Sequence, residues 1–196
     1  NEAENIQLCI SAARRDYPSE LVEIIVADGG STDGMPDLLP PDVVLITAPR
    51  GRAVQLNRGA AAAHGEIFVF CHADSQMPAG WREAVCEILD RIGVVGGTFQ
   101  TLILPENWLF EIRNRWVMPA RWQIMFGDQT QFMYRDIYLR VGGYPEIPLM
   151  EDVEMMRNLH RLGRLVRVCP QVRVTTSARR FAERGVLRQV LLNAWN

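Results

Sequence analysis

The chain has 196 residues, enough for one domain with a sizeable hydrophobic core. It is 48% hydrophobic and 22% charged, which is ordinary for a folded globular protein and unlike a disordered segment. Its formal net charge of -2 argues against a dedicated nucleic-acid-binding protein, because such proteins normally carry a basic face.

The first part of the chain alternates helical patterns with short apolar runs. Residues 2–15 place apolar side chains on one face and predict a helix. Apolar runs at 21–27, 43–47 and 66–71 predict three strands, and the alanine-rich stretch 53–64 predicts a helix between the last two. This alternation is typical of a parallel, doubly wound α/β sheet.

The second part continues with shorter elements and ends in a helix. A helix is predicted after Pro78, a strand over Val94–Leu104, and a strand over Thr130–Tyr134 that leads into a helix over Arg135–Val141. The remaining predictions are a helix opening at Glu151-Asp152, β segments at Leu165–Cys169 and Val172–Thr176, and a last helix bearing Leu187, Val190, Leu191 and Ala194. Because no linker or internal repeat interrupts this order, the sequence predicts a single domain over residues 1–196.

The most informative stretch is Glu66–Asp74, where five apolar residues are followed by His72-Ala73-Asp74. A buried strand would present both polar side chains at its carboxyl end, where open α/β sheets bind ligands. Residues i and i+2 of an extended chain project the same way, so His72 and Asp74 would converge on one target. That target could be magnesium or manganese carrying phosphates. Alternatively, Asp74 caps the next helix and His72 is a structural residue at the sheet edge.

Two further acidic positions each allow a structural and a functional interpretation. The apolar run that ends at Ala27 delivers Asp28 to a glycine-rich turn that extends to Gly34, where a backbone can approach a ligand closely. The turn matches neither common phosphate-loop pattern, so a plain strand-to-helix turn is the alternative. The pair Glu151-Asp152 opens a helix, and the helix dipole favours acidic residues there without any catalysis.

The segment Trp108–Phe126 also has two interpretations. Its helically spaced tryptophans beside arginines suit an interfacial helix that touches lipid head groups, or a core helix with arginine stems lying along apolar surface. No apolar run approaches the roughly 18 residues of a membrane span, so we expect at most peripheral membrane contact. The four cysteines are far apart and have no metal-ligand spacing: Cys9, Cys71, Cys86 and Cys169. Because Cys9, Cys71 and Cys86 lie in apolar patterns, we expect a reduced, cytoplasmic protein in which these thiols are buried.

Taken in order, these features resemble the inverting glycosyltransferases of family 2. The segment Asn1–Asn5 resembles the one that follows the family's first strand, and Val26–Gly34 resembles its nucleobase-binding turn. His72-Ala73-Asp74 stands where the family has Asp-x-Asp, and Glu151-Asp152 stands where it has the acidic pair bearing the catalytic base. The resemblance implies a GT-A fold, an α/β architecture with a mostly parallel central sheet flanked by helices.

The resemblance also implies roles for individual residues. Asp152 would be the general base with Glu151 orienting it or the acceptor, and Asp74 with His72 would hold a divalent cation, Mn²⁺ or Mg²⁺. Arg52 would lie over the nucleobase, and Asp128 and Gln129 would face the donor sugar or acceptor. The implied nucleotide-sugar-binding residues are Asp28, Gly29, Gly30, Arg52, Ala73, Asp74, Asp128, Gln129, Arg179 and Arg180. Arg179 and Arg180 would contact phosphate oxygens, or alternatively would only begin a solvated helix.

Within the family, the chain is most similar to a small bacterial subgroup labelled in part as arsenosugar biosynthesis glycosyltransferases. The shared motifs are Gly51-Arg52-Ala53, Phe70–Asp74, Gly127-Asp128-Gln129 and Pro148–Glu154. Two features depart from the family pattern. The family's first strand, which would precede Asn1, is missing, and His72 replaces the first carboxylate, which predicts a bias toward manganese.

Two other function classes share part of this pattern. A nucleotidyltransferase would use a similar sheet with a basic glycine-rich loop in its first strand-to-helix turn. A non-catalytic nucleotide-sugar-binding module would keep Asp28 and Asp74 but would need no acid at Asp152. The sequence leaves open the donor sugar, the nucleobase and the acceptor.

Overall fold

The computed structural model of the protein describes residues 1–104, Arg121, Gln123, 125–169 and 171–177. Arg179, Arg180 and the last predicted helix lie outside the described residues, as does most of Trp108–Phe126. The predictions for these segments therefore stay predictions.

The described part of the chain contains five α-helices, two 3₁₀ turns and nine strands. The helices are α1 (Ala3–Arg14), α2 (Arg52–Ala62), α3 (Trp81–Leu89), α4 (Arg135–Val141) and α5 (Glu151–His160), with 3₁₀ turns at Met35–Leu38 and Gly127–Gln129. The strands are β1 (Ile25–Asp28), β2 (Val44–Thr47), β3 (Ile67–Phe70), β4 (Ser75–Gln76), β5 (Val94–Thr98), β6 (Gln100–Leu104), β7 (Gln131–Tyr134), β8 (Arg164–Arg167) and β9 (Arg173–Ser177).

The strands form three small sheets. The central sheet has the order β3–β7–β5–β8, in which β7 runs antiparallel to both neighbours and β5 and β8 are parallel. Strands β1 and β2 form a parallel pair, and β4, β9 and β6 form a mixed sheet. The predicted α/β fold is confirmed. Three strands of the central sheet share one direction, and the reversal of β7 between them was not predicted, because hydropathy does not report strand direction.

Helices cover both faces of the central sheet. Phe132 packs in a cluster with Trp81 and Val85 of α3, whereas its neighbour Met133 packs in a second cluster with Met155 and Met156 of α5. Successive residues of a strand point to opposite faces, so both faces are buried. Polar side chains that must reach solvent or ligand are therefore restricted to the ends of the strands.

The elements predicted in the described residues are confirmed, with small shifts at their ends. Two differences are larger: β1 begins later than predicted, and one predicted strand is divided into two. Strand β1 begins at Ile25 because its four-residue ladder with β2 starts there, and Leu21 is exposed. The strand predicted over Val94–Leu104 divides at Phe99, whose N–H donates to the Gln129 carbonyl at 2.8 Å. All four cysteines are free thiols. Cys9, Cys71 and Cys86, which we expected to be buried, are half-buried, and Cys169 is exposed.

Candidate active site

Asp28 shapes the turn that follows β1. Its carboxylate accepts hydrogen bonds from the Gly30 N–H at 3.2 Å, the Ser31 N–H at 3.0 Å and the Ser31 hydroxyl at 2.6 Å. Burial by itself would raise the pKa of Asp28, but these hydrogen bonds outweigh it and hold the pKa below the ordinary value. The charged side chain therefore fixes the conformation of the loop at the carboxyl end of β1.

The start of the chain is fastened to the same turn. The Asn1 ammonium donates to the Ser31 hydroxyl at 3.2 Å, and the Thr32 N–H donates to the Asn1 side-chain oxygen at 2.7 Å. The Ala3 N–H donates to Asp33 at 2.8 Å. Helix α1 consequently begins beside the carboxyl end of β1.

His72 and Asp74 follow β3 but do not continue it as an extended chain. The strand ends at Phe70, and the Ser75 N–H donates to the His72 carbonyl at 3.0 Å, which closes a turn. The inference that the two side chains project the same way along an extended chain is therefore wrong. Both residues are half-buried at the carboxyl end of β3, so the predicted location at this strand end is confirmed.

Arg52 connects this turn to the acidic pair. It is the first residue of α2, and its Nη2 lies 2.8 Å from His72 Nε2. Its Nε lies 3.1 Å from Glu151 Oε1, and Nη2 lies 3.8 Å from Asp152 Oδ2. A guanidinium only donates, so this contact is a hydrogen bond only when His72 Nε2 accepts. Nε2 is then unable to bind a metal while this contact persists.

The acidic pair is buried at the start of α5. Glu151 is 3% exposed and Asp152 is 6% exposed. Asp152 Oδ1 accepts from the Val153 N–H at 2.7 Å, which is a local contact of the helix start. Its Oδ2 accepts from the Gly127 N–H at 2.6 Å, outside the helix. Met150 is the N-cap of α5 and no side chain caps the helix, so the contact with Val153 is only local, and the other oxygen of Asp152 belongs to the cluster around Arg52.

Position 127 has little room for a side chain because the cluster closes around it. A Cβ atom on Gly127 would lie 2.7 Å from Arg52 Nη2, 3.0 Å from Asp152 Oδ2 and 3.2 Å from His72 Nε2. In the sequence analysis, Gly127 was noted only as part of a shared motif, and its close packing against these side chains was not predicted.

Asp128 and Gln129 follow in the 3₁₀ turn and differ in exposure. Gln129 is 2% exposed, and its Oε1 accepts from Arg167 Nη1 at 2.7 Å, which holds the side chain in the interior. Asp128 is half-buried, and its carbonyl accepts from the Thr101 hydroxyl at 3.3 Å. Asp128 is therefore the more accessible of the two side chains predicted to face donor or acceptor.

Sequence reasoning also missed a buried polar group behind the acidic pair. Gln131 Nε2 donates to the carbonyls of Asp152 and Met125, each at 3.0 Å, and its Oε1 accepts from the Tyr144 hydroxyl at 2.7 Å. Burial raises the pKa of Tyr144 well above its ordinary value, so this hydroxyl remains a donor. In the sequence, this buried group could have been recognised from Gln131 itself, which is the one glutamine in the otherwise apolar, β-prone run that forms β7.

Helix α2 places the two strand ends on one side of the molecule. Gln55, one turn after Arg52, donates to the Ala27 carbonyl at 2.9 Å and lies against Gly29. The first turn of α2 therefore lies between the Asp28 turn and the cluster of His72 and Asp152. That this region binds a ligand stays a prediction. Ala73 instead packs against the α1 cluster that contains Ile6 and Ile10.

The donors for a cation are few. No group of three or more His, Cys, Asp or Glu side chains in the described part of the chain could hold a metal. His72 and Asp74 lie in one turn and offer two donors at most. Mg²⁺ and its analogues are commonly held by one or two carboxylates together with substrate phosphates, so this set suits a cation that arrives with a diphosphate.

Comparison with known proteins identifies the family. Residues 1–143 match the profile described as glycosyl transferase family 2. The chain belongs to this family. Glycosyltransferase AglE of Haloferax volcanii is 29% identical over 51% of this chain and 36% of its own length. The probable glycosyltransferase YdaM of Bacillus subtilis is 24% identical over 79% of this chain and 43% of its own. This family 2 chain spans less than half the length of these curated relatives.

Solved structures agree with the GT-A fold. The mannosyltransferase PcManGT from Pyrobaculum calidifontis, in complex with GDP-Man and Mn²⁺, matches with a TM-score of 0.67 and 26% identity over 89% of this chain and 53% of that one. S. aureus TarS matches with a TM-score of 0.72 and 15% identity over 100% of this chain and 63% of that one.

In this family 2 chain, no helix among the described residues is long and apolar enough to cross a membrane.

Proposed function

We propose that this family 2 chain transfers a sugar from a nucleoside diphosphate sugar to an acceptor hydroxyl with inversion, with Asp152 as general base. The observation that carries the proposal is the second oxygen of Asp152. It points out of the helix start into a cluster with Arg52 and His72, beside the Asp28 turn. A residue that only capped α5 would have no reason to contact both Gly127 and Arg52, which belong to two other segments.

The acceptor side of the reaction needs a base that is held firmly. The Gly127 N–H donates to Asp152 Oδ2 at 2.6 Å, and the Arg52 guanidinium lies 3.8 Å from the same oxygen, so the carboxylate is fixed in position. Asp152 removes the acceptor proton as the hydroxyl attacks the anomeric carbon, which contributes typically 10²–10⁴-fold. A single displacement inverts the anomeric configuration. Glu151, held beside Arg52, orients the acceptor or the base.

The donor side requires stabilisation of a departing diphosphate. Asp28 and the glycines after it hold the nucleotide, and Ala73 and Asp74 lie at the adjacent strand end. A divalent cation bound with the diphosphate neutralises the developing charge. Asp74 and, once Arg52 releases it, His72 are the protein's candidate ligands. Arg52 itself, which is half exposed, is able to turn from the acidic pair to a phosphate oxygen. Arg179 and Arg180 remain predicted phosphate contacts.

The donor class follows from the neighbours, and the acceptor from the narrower resemblance. Related structures hold GDP-Man with Mn²⁺ in PcManGT and UDP-GlcNAc in TarS. We therefore expect a GDP- or UDP-sugar donor. The motifs shared with arsenosugar biosynthesis glycosyltransferases make an arsenosugar precursor one member of the acceptor panel. A panel assay with Mn²⁺ separates sugar transfer from pyrophosphate release by a nucleotidyltransferase and from binding without turnover.

The decisive variant is Asp152→Asn, and the chain offers a matched control. Asp136 occupies the second position of α4 and accepts from its own next N–H at 2.7 Å, as Asp152 does in α5, but Asp136 is exposed. Asp152→Asn should lower turnover by roughly two orders of magnitude or more, because an amide takes no proton. Asp136→Asn should leave turnover nearly unchanged.

Donor binding, measured by calorimetry with Mn²⁺, should be little altered in both variants. An Asp152→Asn protein that folds, binds donor and transfers sugar at close to the wild-type rate would refute the base assignment.

A further inference from the structure

Two cysteines from distant parts of the chain meet at the backbone of His72. Cys9 lies in α1, and Cys71 directly follows β3. Each Sγ donates a hydrogen bond to the His72 carbonyl at 3.5 Å, so the two thiols share one acceptor atom. Their side chains also interact directly with each other. The fold therefore places a pair of free thiols beside the turn that carries His72 and Asp74.

Packing of α1 holds this pair together. Ile6 and Ile10 of α1 are buried in one cluster, and Ala73 packs against the same cluster. Ile6 lies about one helical turn before Cys9, so the face of α1 that packs against the turn also carries Cys9. The two backbones are thus held near each other by apolar contacts that do not depend on the thiols.

A disulfide requires two cysteines whose backbones are close, with Cα atoms at most about 7 Å apart. Thiols that already share one carbonyl oxygen need only a small change of side-chain torsion to bring their sulfur atoms together. We propose that Cys9 and Cys71 are a redox modification site at which a peroxide forms a reversible disulfide between α1 and the turn of His72. Both thiols are half-buried and not fully enclosed, so a molecule as small as hydrogen peroxide reaches them.

The chemistry balances with one peroxide for each disulfide. The thiolate of one cysteine attacks a peroxide oxygen, the O–O bond breaks, and the products are a sulfenic acid and one water. The second thiol attacks the sulfenic sulfur, and the S–S bond forms as the S–O bond breaks and a second water leaves with the thiol proton. The two sulfurs together lose two electrons, which reduce the peroxide. A dithiol reductant reverses the change by thiol–disulfide exchange.

The other two cysteines are placed differently and serve as controls. Cys86 is half-buried in α3, as Cys9 is in α1. Cys169 is exposed after β8, and its thiol donates to the Gln171 side chain. If exposure decided which thiol is oxidised, Cys169 would react first and link two chains. If proximity decides, the bond between Cys9 and Cys71 forms first, within one chain.

The bond would change the hydrogen bonding of the His72 carbonyl. In the reduced protein this oxygen accepts from Cys9, from Cys71 and, at 3.0 Å, from the Ser75 N–H. A disulfide has no S–H, so oxidation removes both thiol donors and ties the residue before His72 to α1. The imidazole of His72 contacts Arg52. Oxidation should therefore disturb the cluster around Arg52 and slow sugar transfer, an effect that rests on the proposed function.

Peptide mapping tests the disulfide without donor, acceptor or metal. The 196-residue chain is fully reduced, treated with equimolar hydrogen peroxide, blocked with an alkylating reagent and digested. The expected product is a monomer that has lost two hydrogen atoms and yields one cross-linked peptide pair, Cys9 with Cys71. Dithiothreitol should restore both thiols. Cys86→Ser should form the same bond, whereas Cys9→Ser should not.

Two results of this mapping would overturn the modification site. Separate oxidised products at Cys9 and Cys71, without a bond between them, would show that the two thiols do not pair. Chains linked through Cys169 while Cys9 and Cys71 stay reduced would show that exposure decides. Cys71→Ser is the second variant that must lack the bond, and it takes the place of Cys9→Ser if that protein does not fold.

Turnover measures the consequence for the candidate active site. The oxidised wild type should transfer sugar about tenfold or more slowly than the reduced protein and should recover after dithiothreitol, because a small displacement near a site is costly. Cys9→Ser should retain most of its rate after the same treatment. Equal rates of the reduced and the oxidised wild type would overturn control of the site by this bond. A reduced protein that transfers no sugar would contradict the proposed function alone, since the peptide map does not depend on it.

Discussion

Asp28 and Asp152 are both carboxylates at the end or start of an element, but their surroundings give them different tasks. Asp28 is surrounded by donors from its own loop, including two amides and the Ser31 hydroxyl. Asp152 shares its oxygens between its own helix and a distant turn at Gly127. The first environment stabilises a loop, and the second one connects the start of α5 to the turn at Gly127.

The pKa of Asp28 predicts a specific acid sensitivity. Its folded pKa lies below the ordinary value of 3.8, so its stabilising contribution is present above that value and is lost as the pH falls through the folded pKa. Ser31→Ala removes the hydroxyl donor and should raise the pKa of Asp28 toward its ordinary value. Urea unfolding at about pH 6 and about pH 2.5 should show a smaller loss of stability for Ser31→Ala than for the wild type. An NMR titration of Asp28 in both proteins measures this pKa directly. A pKa of Asp28 in Ser31→Ala that equals the wild-type pKa would contradict the prediction.

Gly127→Ala tests the cluster that closes around this residue. The new Cβ would displace the flexible end of Arg52 and the carboxylate of Asp152, both of which lie within 3.0 Å of it. We expect a protein that folds with a small change in melting temperature but turns over about tenfold or more slowly. Gly65→Ala is the control, because its Cβ would meet only the Ile67 carbonyl at 3.6 Å. Equal activities would show that the geometry at Gly127 has no influence on the reaction.

At the scale of elements, one glutamine holds the start of α5 against β7. Gln131 is fully buried, and its amide connects the Tyr144 hydroxyl to the Asp152 carbonyl. This contact fixes the backbone of the residue that we propose as base, so we assign Gln131 a positioning role.

Gln131→Leu should be strongly destabilising because it leaves several buried polar groups without partners, each at a cost of about 1–3 kcal/mol. Tyr144→Phe removes one of these groups. The double variant should therefore be less destabilised than the sum of the single variants, with a coupling of about 1 kcal/mol or more in urea unfolding. Additive effects would show that Gln131 and Tyr144 act independently.

At the scale of the whole molecule, the first turn of α2 joins two sheets into one site. The Asp28 turn belongs to the β1–β2 pair, and His72 follows the central sheet, yet Arg52 and Gln55 contact both regions. A donor that spans this edge should connect the two sheets and stabilise the whole protein by mass action.

Asp74 provides the test of cation use at this scale. A UDP- or GDP-sugar should raise the melting temperature more with Mn²⁺ than without a metal, and Mn²⁺ should support turnover at least as well as Mg²⁺. Asp74→Asn should abolish the additional stabilisation by Mn²⁺. Asp37→Asn, which changes an exposed carboxylate in the 3₁₀ turn after β1, should retain it. Full activity after exhaustive chelation of metal ions would contradict the cation role. The arginine side chains would then have to stabilise the departing diphosphate.

The order of helices and strands was determined by the sequence itself, because each depends on local hydropathy and on a few glycines and prolines. The position of polar residues at strand ends could also be predicted from the sequence. An apolar run such as Ile67–Cys71 ends where the strand leaves the buried interior, so the polar residues that follow lie at the strand end. The motifs at Asp28, His72 and Asp152 predicted the family, which the family profile confirms, and the site at the strand ends stays a prediction.

Contacts between distant segments were decided only by the tertiary structure. Arg52 and Glu151 are almost a hundred positions apart in the chain, and no periodicity relates them. The reversed direction of β7, the turn that follows His72 and the buried position of Gln129 likewise depend on which segments pack together. Local patterns specify which side chains are apolar, but direction, register and hydrogen-bond partners are set by competition among all the surfaces that meet in the folded protein.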